Sequence, residues 1–272
     1  MLALAVFAAG PIGGQVTGLA GWDIFLDPGH SGIYENVGIF GYAEPHKTLR
    51  VALELRDLLL TTTDIDAVNI SRTNDQEQVS LKQRTALANS IPASWFHSIH
   101  SNAGGPTANN ALMLYGEPKE NPNLRNLPGG KALSEIMVVH LANGMRIPSI
   151  GAIGECWFYY RNPDCASTRN HVNRESNMPS ELSEAGFHTH PVQNQRNMSD
   201  RWKRLEAYTF YWSILQFFGR ARPQVEIITG IISDLESGLP VNGAVAVAAG
   251  AGDTTDNYAE LFYRYSSDPD QL

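Results

Sequence analysis

The chain is short of cysteine, short of positive charge and without a long apolar run, and each shortage excludes something. In 272 residues there are two cysteines, Cys156 and Cys165. That is too few for a fold held by disulfides, and their spacing does not suit a Cys-x-x-Cys metal knuckle. They stand as either a bridge across a hairpin turned at Asn162-Pro163-Asp164, which suits an oxidising compartment, or two thiols. Basic residues number 20 against 28 acidic ones, a formal charge of -8. Nucleic acids and anionic membranes want the opposite sign, so neither partner is expected. No stretch approaches the roughly 18 apolar residues of a transmembrane helix.

What is present suits an enzyme-sized globular protein. Hydrophobic residues make up 43% of the chain, enough for one large core and a small appendage. Residues 1–10 are apolar and small, like parts of a signal peptide, although no basic residue precedes them. Residues 11–21 are glycine-rich, so 1–21 read as a leader. From residue 22 to 220 strand-like runs alternate with helical ones, the α/β pattern. Strands are expected at 22–26, 67–71, 95–100 and 111–115, and helices at 44–60, 79–89, 131–143 and 200–218. Pro45 suits a first helical turn and puts Glu44 at or beside the N-cap. Helix 131–143 carries Leu133, Ile136, Met137 and Leu141 on one face, and Gly144 follows where a left-handed cap wants glycine. Beyond Arg222-Pro223, short strand-like runs with Gly and Asp turns make 224–272 read as a partial β-sandwich-like module.

Chemistry gathers at two strand ends. Asp27-Pro28-Gly29-His30 and Ser98-Ile99-His100-Ser101-Asn102 each follow an apolar run, which places both imidazoles at the carboxyl edge of a sheet. Glu44, at a free helix start, would add a carboxylate. Two nitrogens and one oxygen form a donor set that favours Zn²⁺ over Ca²⁺ or Mg²⁺. A hydrolytic centre also needs a base that is not a ligand. Glu184 ends a short extended segment ahead of a Gly turn and fits that role, with Glu181 as an acidic rival.

Taken in order, several motifs resemble the zinc-dependent N-acetylmuramoyl-L-alanine amidases. They are Asp27-Pro28-Gly29-His30, Glu44 with Leu49, Arg72-Thr73-Asn74-Asp75, Val79-Ser80-Leu81 with Arg84, Ser98-Ile99-His100-Ser101-Asn102 and Glu184-Ala185-Gly186-Phe187. The resemblance covers residues 23–218. It implies a single-domain, three-layer α/β fold with a twisted, mostly parallel six-stranded sheet flanked by helices. It also implies cleavage of the amide between N-acetylmuramic acid and the L-alanine of the stem peptide. Zinc would be held by His30, Glu44 and His100, with Glu184 as general acid/base and Asn102 as a substrate contact. Peptidoglycan as substrate, action outside the cytoplasm and a monomeric state are the matching expectations. The alternatives are a zinc peptidase acting on another cell-wall amide and a non-catalytic wall-binding module.

The chain departs from that family in places. His97 replaces a small apolar residue. His188-Thr189-His190 stands where Ser-Asn is common, and His188 and His190 read as loop histidines, substrate contacts or a second metal pair. Residues 147–172, with both cysteines, are expected as a surface hairpin at the groove. Its aromatics, Trp157 to Tyr160, would either stack on glycan or pack the hairpin. The loop 116–130 is short, so no inserted helix is expected over the zinc.

Overall fold

One sheet of six strands carries the molecule. The computed structural model describes residues 15–32, 35–91, 93–116, 130–161, 170–223, 226–248 and 251–265. In chain order the first half holds β1 (Asp23–Pro28), α1 (Glu44–Thr62), β2 (Ala67–Ile70), α2 (Leu81–Ser90), β3 (Trp95–Asn102) and β4 (Ala111–Tyr115). Then come α3 (Gly130–Met145), β5 (Ser149–Gly154), α4 (Glu155–Tyr160), α5 (His171–Glu175), β6 (Ser180–Phe187), α6 (Pro191–Met198) and α7 (Asp200–Phe217). Four short strands follow: β7 (Glu226–Ile231), β8 (Val245–Ala248), β9 (Ala251–Thr254) and β10 (Glu260–Tyr265).

The strand order is β2-β1-β3-β6-β4-β5. Every pairing is parallel except β4 with β6. The carboxyl ends of β1, β3 and β6 therefore share one edge, and β4 and β5 run the other way. Side chains alternate across each strand. Ile24, Leu26, Trp95, Ile99 and Met113 join the core with Leu55 of α1, Met137 of α3 and Leu205 of α7. Phe25, Phe96, Leu112 and Leu182 form a smaller core with Ala88, Val172 and Met178. Each such apolar side chain contributes about 1.5–3 kcal/mol relative to exposure. Ser80 and Gln83 start α2 with a reciprocal capping box, which satisfies two otherwise orphaned donors. Among the described residues no helix is long and apolar enough to cross a membrane.

The expected architecture is present, with local corrections. The described residues of 147–172 form β5, α4 and the start of α5, not a hairpin at the groove. Because β5 runs parallel to the reversed β4, Gly154 lies level with Tyr115 and Glu181, at the edge opposite the ends of β1 and β3. Trp157 and Tyr160 thus sit far from that crevice. Cys165 and residues 117–129 lie outside the described residues, so the choice between a bridge and two thiols at the buried Cys156, and the expected lack of an inserted helix in the 116–130 loop, fall outside them too.

Gly144 does not cap α3 but lies within it, where an added Cβ would come within 2.4 Å of Thr209 on α7. Close helix packing, not a turn, requires that glycine; the left-handed residue is Arg146, with φ 51°. The buried face of α3 runs through Leu133, Met137, Val138 and Leu141, while Ile136 is half-buried.

Residues 16–21, expected as leader, pack on the domain. Leu19 is fully buried, Val16 donates to Thr62, and Asp64 accepts from Gly18 and Leu19 at 2.8 and 2.7 Å. At the other end β7 pairs with β10 and β8 with β9, two separate two-stranded sheets. They seat on the α6–α7 side: Ser199 donates to Asp256 at 2.6 Å and Arg201 pairs with Asp253 at 2.9 Å. Arg146 and Arg196 lie over the Trp202 ring and flank the buried Glu260, each 3.8 Å from it.

Candidate metal centre

The crevice at the ends of β1, β3 and β6 collects the predicted residues. β1 ends at Pro28, and Gly29 follows with the His100 imidazole pressed against it. An added Cβ at Gly29 would lie 2.3 Å from that ring, so only glycine leaves room for the imidazole here. His30 then adopts φ 58°, a left-handed conformation costing an L-residue about 1–2 kcal/mol. Glu44 is the first residue of α1 and is buried.

From these three positions the donor atoms converge. His30 Nε2 lies 3.2 Å from Glu44 Oε2, and His100 Nδ1 lies 3.1 Å from Glu44 Oε1. One donor atom from each of the three residues lies within 4.8 Å of the others. Glu44 Oε1 also accepts from the Ser101 backbone N–H at 2.7 Å, and Oε2 accepts from Asn36 at 2.7 Å. Burial opposes ionisation of Glu44, but the hydrogen bond and charge of His100, the charge of His30 and the Ser101 N–H hold its pKa at about 2. Burial, with the nearby His100 charge, lowers the His30 pKa against the pull of Glu44. At His100 burial is outweighed by the Glu44 hydrogen bond and charge, so its pKa rises. Among the described residues no lysine or arginine bonds Glu44. A buried anion facing two imidazoles is a donor state that a divalent metal takes up, and the N/N/O set is one that zinc accepts.

Glu184 stands opposite His100 in the β3–β6 register. It does not end its strand, which continues to Phe187 past a register shift and Gly186 at φ 73°. Its Oε2 is buried without a hydrogen-bond partner among the described residues. Burial, reinforced by the nearby Glu44 charge, pushes its pKa up to about 8, against the pull of His100 and Lys47. Glu181, its rival, points to the other face. There it accepts from the indole of Trp95 and bonds His97 Nδ1 at 2.8 Å, with all three residues buried. Burial raises Glu181 well above the usual carboxylate range and lowers His97 to about 3, so burial disfavours the charged form of both partners. His97 and Glu181 are direct register partners, which explains the departure at His97.

Other residues sort by contact. His188 is buried; its Nδ1 donates to Ser101 O at 3.0 Å and lies 3.5 Å from Glu44. His190 caps α6, accepting from the Gln193 N–H at 3.3 Å. Neither belongs to the converging group His30, Glu44 and His100 found among the described residues. Asn102 ends β3 at the rim, with its side-chain oxygen bound by the Ala103 N–H at 2.8 Å.

Sequence reasoning missed Lys47 and Glu206. Fully buried, Lys47 donates to His100 O at 3.2 Å and to Glu206 at 2.5 Å. Burial raises Glu206 to about 7 despite Lys47. The available signal was spacing, since Lys47 follows Glu44 by three residues and so shares its helix face. A cavity of about 540 Å³ opens beside His30 and His100, walled by Glu35, Gln78, Ser80 and Gln83.

Comparison with known proteins points to a family. A family model described as N-acetylmuramoyl-L-alanine amidase matches residues 24–216. The chain is 34% identical over 164 residues to the N-acetylmuramoyl-L-alanine amidase CwlM of Bacillus licheniformis, a match covering 60% of the chain and 56% of that relative. It is 44% identical over 84 residues to a sporulation-specific N-acetylmuramoyl-L-alanine amidase of Bacillus subtilis strain 168, covering 31% of the chain and 32% of that relative. The chain thus spans about half the length of the first of these curated relatives and a third of the second. Among solved structures, an N-acetylmuramoyl-L-alanine amidase from Clostridium difficile 630 superposes with TM-score 0.61 at 27% identity, covering 73% of this chain and 97% of that one.

Proposed function

The chain belongs to the N-acetylmuramoyl-L-alanine amidase family, and from that premise we propose that it hydrolyses the amide between N-acetylmuramic acid and the L-alanine of the peptidoglycan stem, using zinc. One observation carries the reading: donor atoms of His30, Glu44 and His100 converge within 4.8 Å beside Glu184, a carboxylate with an unpartnered buried oxygen. Zinc held by His30, Glu44 and His100 would supply Lewis acidity, lowering the pKa of water toward ~7 and stabilising charge that develops on the amide oxygen.

The remaining steps belong to this chain's own groups. Glu184 accepts a proton from the attacking water at its free oxygen and passes it to the leaving nitrogen. Burial raises the proton affinity of this carboxyl, which favours its holding the proton that it then delivers. The Ser101 N–H and Asn36 fix the Glu44 carboxylate. Asn102, at the rim, contacts substrate. Peptidoglycan places the action outside the cytoplasm, and the chain acts as a monomer.

Glu184→Gln tests the assignment. The variant should bind zinc like the parent and lose hydrolysis by about 10²–10⁴-fold, the usual size of a general acid–base contribution. Turnover close to the parent's would remove Glu184 from the role.

A further inference from the structure

His30 holds an unfavourable backbone conformation at a position where its ring has to be placed accurately. What holds it is not on the surface. Arg84, on α2, is buried, with its Nη1 donating to Pro28 O at 2.7 Å and its Nη2 donating to His30 O. Its Nε donates to Val79 O at 3.1 Å, which ties the grip to the start of α2. Arg72, following β2, is buried as well. Its Nε donates to Pro28 O at 3.3 Å, and its Nη2 donates to Gly29 O at 3.1 Å and Pro45 O at 2.8 Å. Each carbonyl of residues 28, 29 and 30 thus accepts from a buried guanidinium, and Pro45, next to Glu44, is held by the same fork.

Arg84 is compensated by a buried carboxylate. Asp27 receives Arg84 Nη1 at 2.5 Å and the hydroxyls of Ser71 and Ser98 at 2.7 and 2.9 Å. Its charge is therefore engaged by Arg84 and two hydroxyls. A guanidinium offers five donors in a rigid fork, and a lysine ammonium offers three on a flexible stem. Only the fork spans Val79, Pro28, Asp27 and His30 at once.

We propose that Arg84, with Arg72, is a positioning residue for the metal centre: the buried guanidinium clamp on the 28–30 carbonyls holds His30 left-handed, so that its imidazole meets Glu44 and His100. The clamp touches neither metal nor substrate and acts through His30 and Pro45. The proposal rests on the zinc reading of His30, Glu44 and His100. Groups that orient ligands in this way typically change metal affinity by about 10–100-fold.

The test is Arg84→Lys, which keeps the charge against Asp27 but loses the fork. Zinc affinity is measured by competition with a chromophoric chelator, and thermal stability is measured on the zinc-free protein. A clamp predicts about 10–100-fold weaker zinc binding in a variant whose zinc-free melting temperature stays close to the parent's, with turnover recovered at saturating zinc. Zinc affinity equal to the parent's, whatever the melting temperature, would overturn it. If Arg84→Lys does not fold, Arg72→Lys probes the same loop through Gly29 and Pro45, and the same two outcomes decide. Parent protein that binds no zinc would sink the zinc reading itself, a result distinct from parent binding with an unaffected variant.

Discussion

Two glutamates on β6 stand three residues apart and live in different worlds. Glu181, near the start of the strand, is closed in by Trp95, His97 and, beyond them, the Phe210 ring of α7, 4.6 Å from His97. Glu184, toward the carboxyl end, faces His100 and keeps one buried oxygen without a hydrogen-bond partner among the described residues. Both carboxyls are pushed up by burial. A raised pKa therefore does not by itself mark a catalytic group. What separates them is whether the donors around the carboxyl are already spent. At Glu181 the protein has completed the hydrogen bonding; at Glu184 it has left a site for something else.

The sharpest way to break the contrast is at the crevice itself. His100→Ala should lose both bound metal and hydrolysis, and a full zinc complement in that variant would strike His100 from the donor set. Next comes the pair Glu184→Gln and Glu181→Gln assayed side by side: the first should lose turnover by orders of magnitude, the second should keep it within about twofold, because Glu181 touches no reacting atom. Equal losses would erase the distinction.

Stability should show the reverse order. Glu181→Ala strands the Trp95 indole and the His97 imidazole in the core, and should cost about 1–3 kcal/mol in urea denaturation. Glu184→Gln removes a carboxylate that burial disfavours, and should leave the zinc-free protein at least as stable. The pH dependence is smaller and has a definite sign. Glu206 titrates near 7 in the fold against about 4.5 when unfolded. Its stabilising share is full below pH 4.5 and is lost as pH rises through 7. Glu206→Gln should flatten the stability profile of the zinc-free protein over that window, and an unchanged slope would contradict the assignment. The smallest effect is expected at the far edge of the sheet. Trp157→Ala should leave hydrolysis of soluble muropeptides unchanged and shift stability by no more than about 0.5 kcal/mol. A large loss would mean that the aromatic patch reaches the substrate after all.

Much of the site was legible because its residues obey local rules. His30 and His100 end apolar strands, and Glu44 precedes a proline that opens a helix; each position follows from neighbours in sequence. Order along the chain then linked them to a family. What stayed hidden depended on direction and register. The reversal of β4 against β6 sends β5 and α4 to the opposite edge, and no local pattern announces an antiparallel pairing within a mostly parallel sheet. The His97–Glu181 pair is visible only once β3 and β6 are aligned. Gly144 carries the composition of a cap and serves as a packing gap against Thr209. The buried Lys47–Glu206 and Arg84–Asp27 pairs read as surface charge in a linear string, because their partners lie far away in sequence.

The central claim is that the Glu184 end of β6 is a zinc-dependent site for one bond. The direct measurement is mass spectrometry of peptidoglycan digested by the parent protein, with metal content determined on the same sample before and after chelation. The account predicts bound zinc, release of stem peptides bearing a free L-alanine amino terminus, and loss of that release when the metal is stripped. Cleavage inside the stem peptide, or undiminished release from metal-free protein, would contradict it.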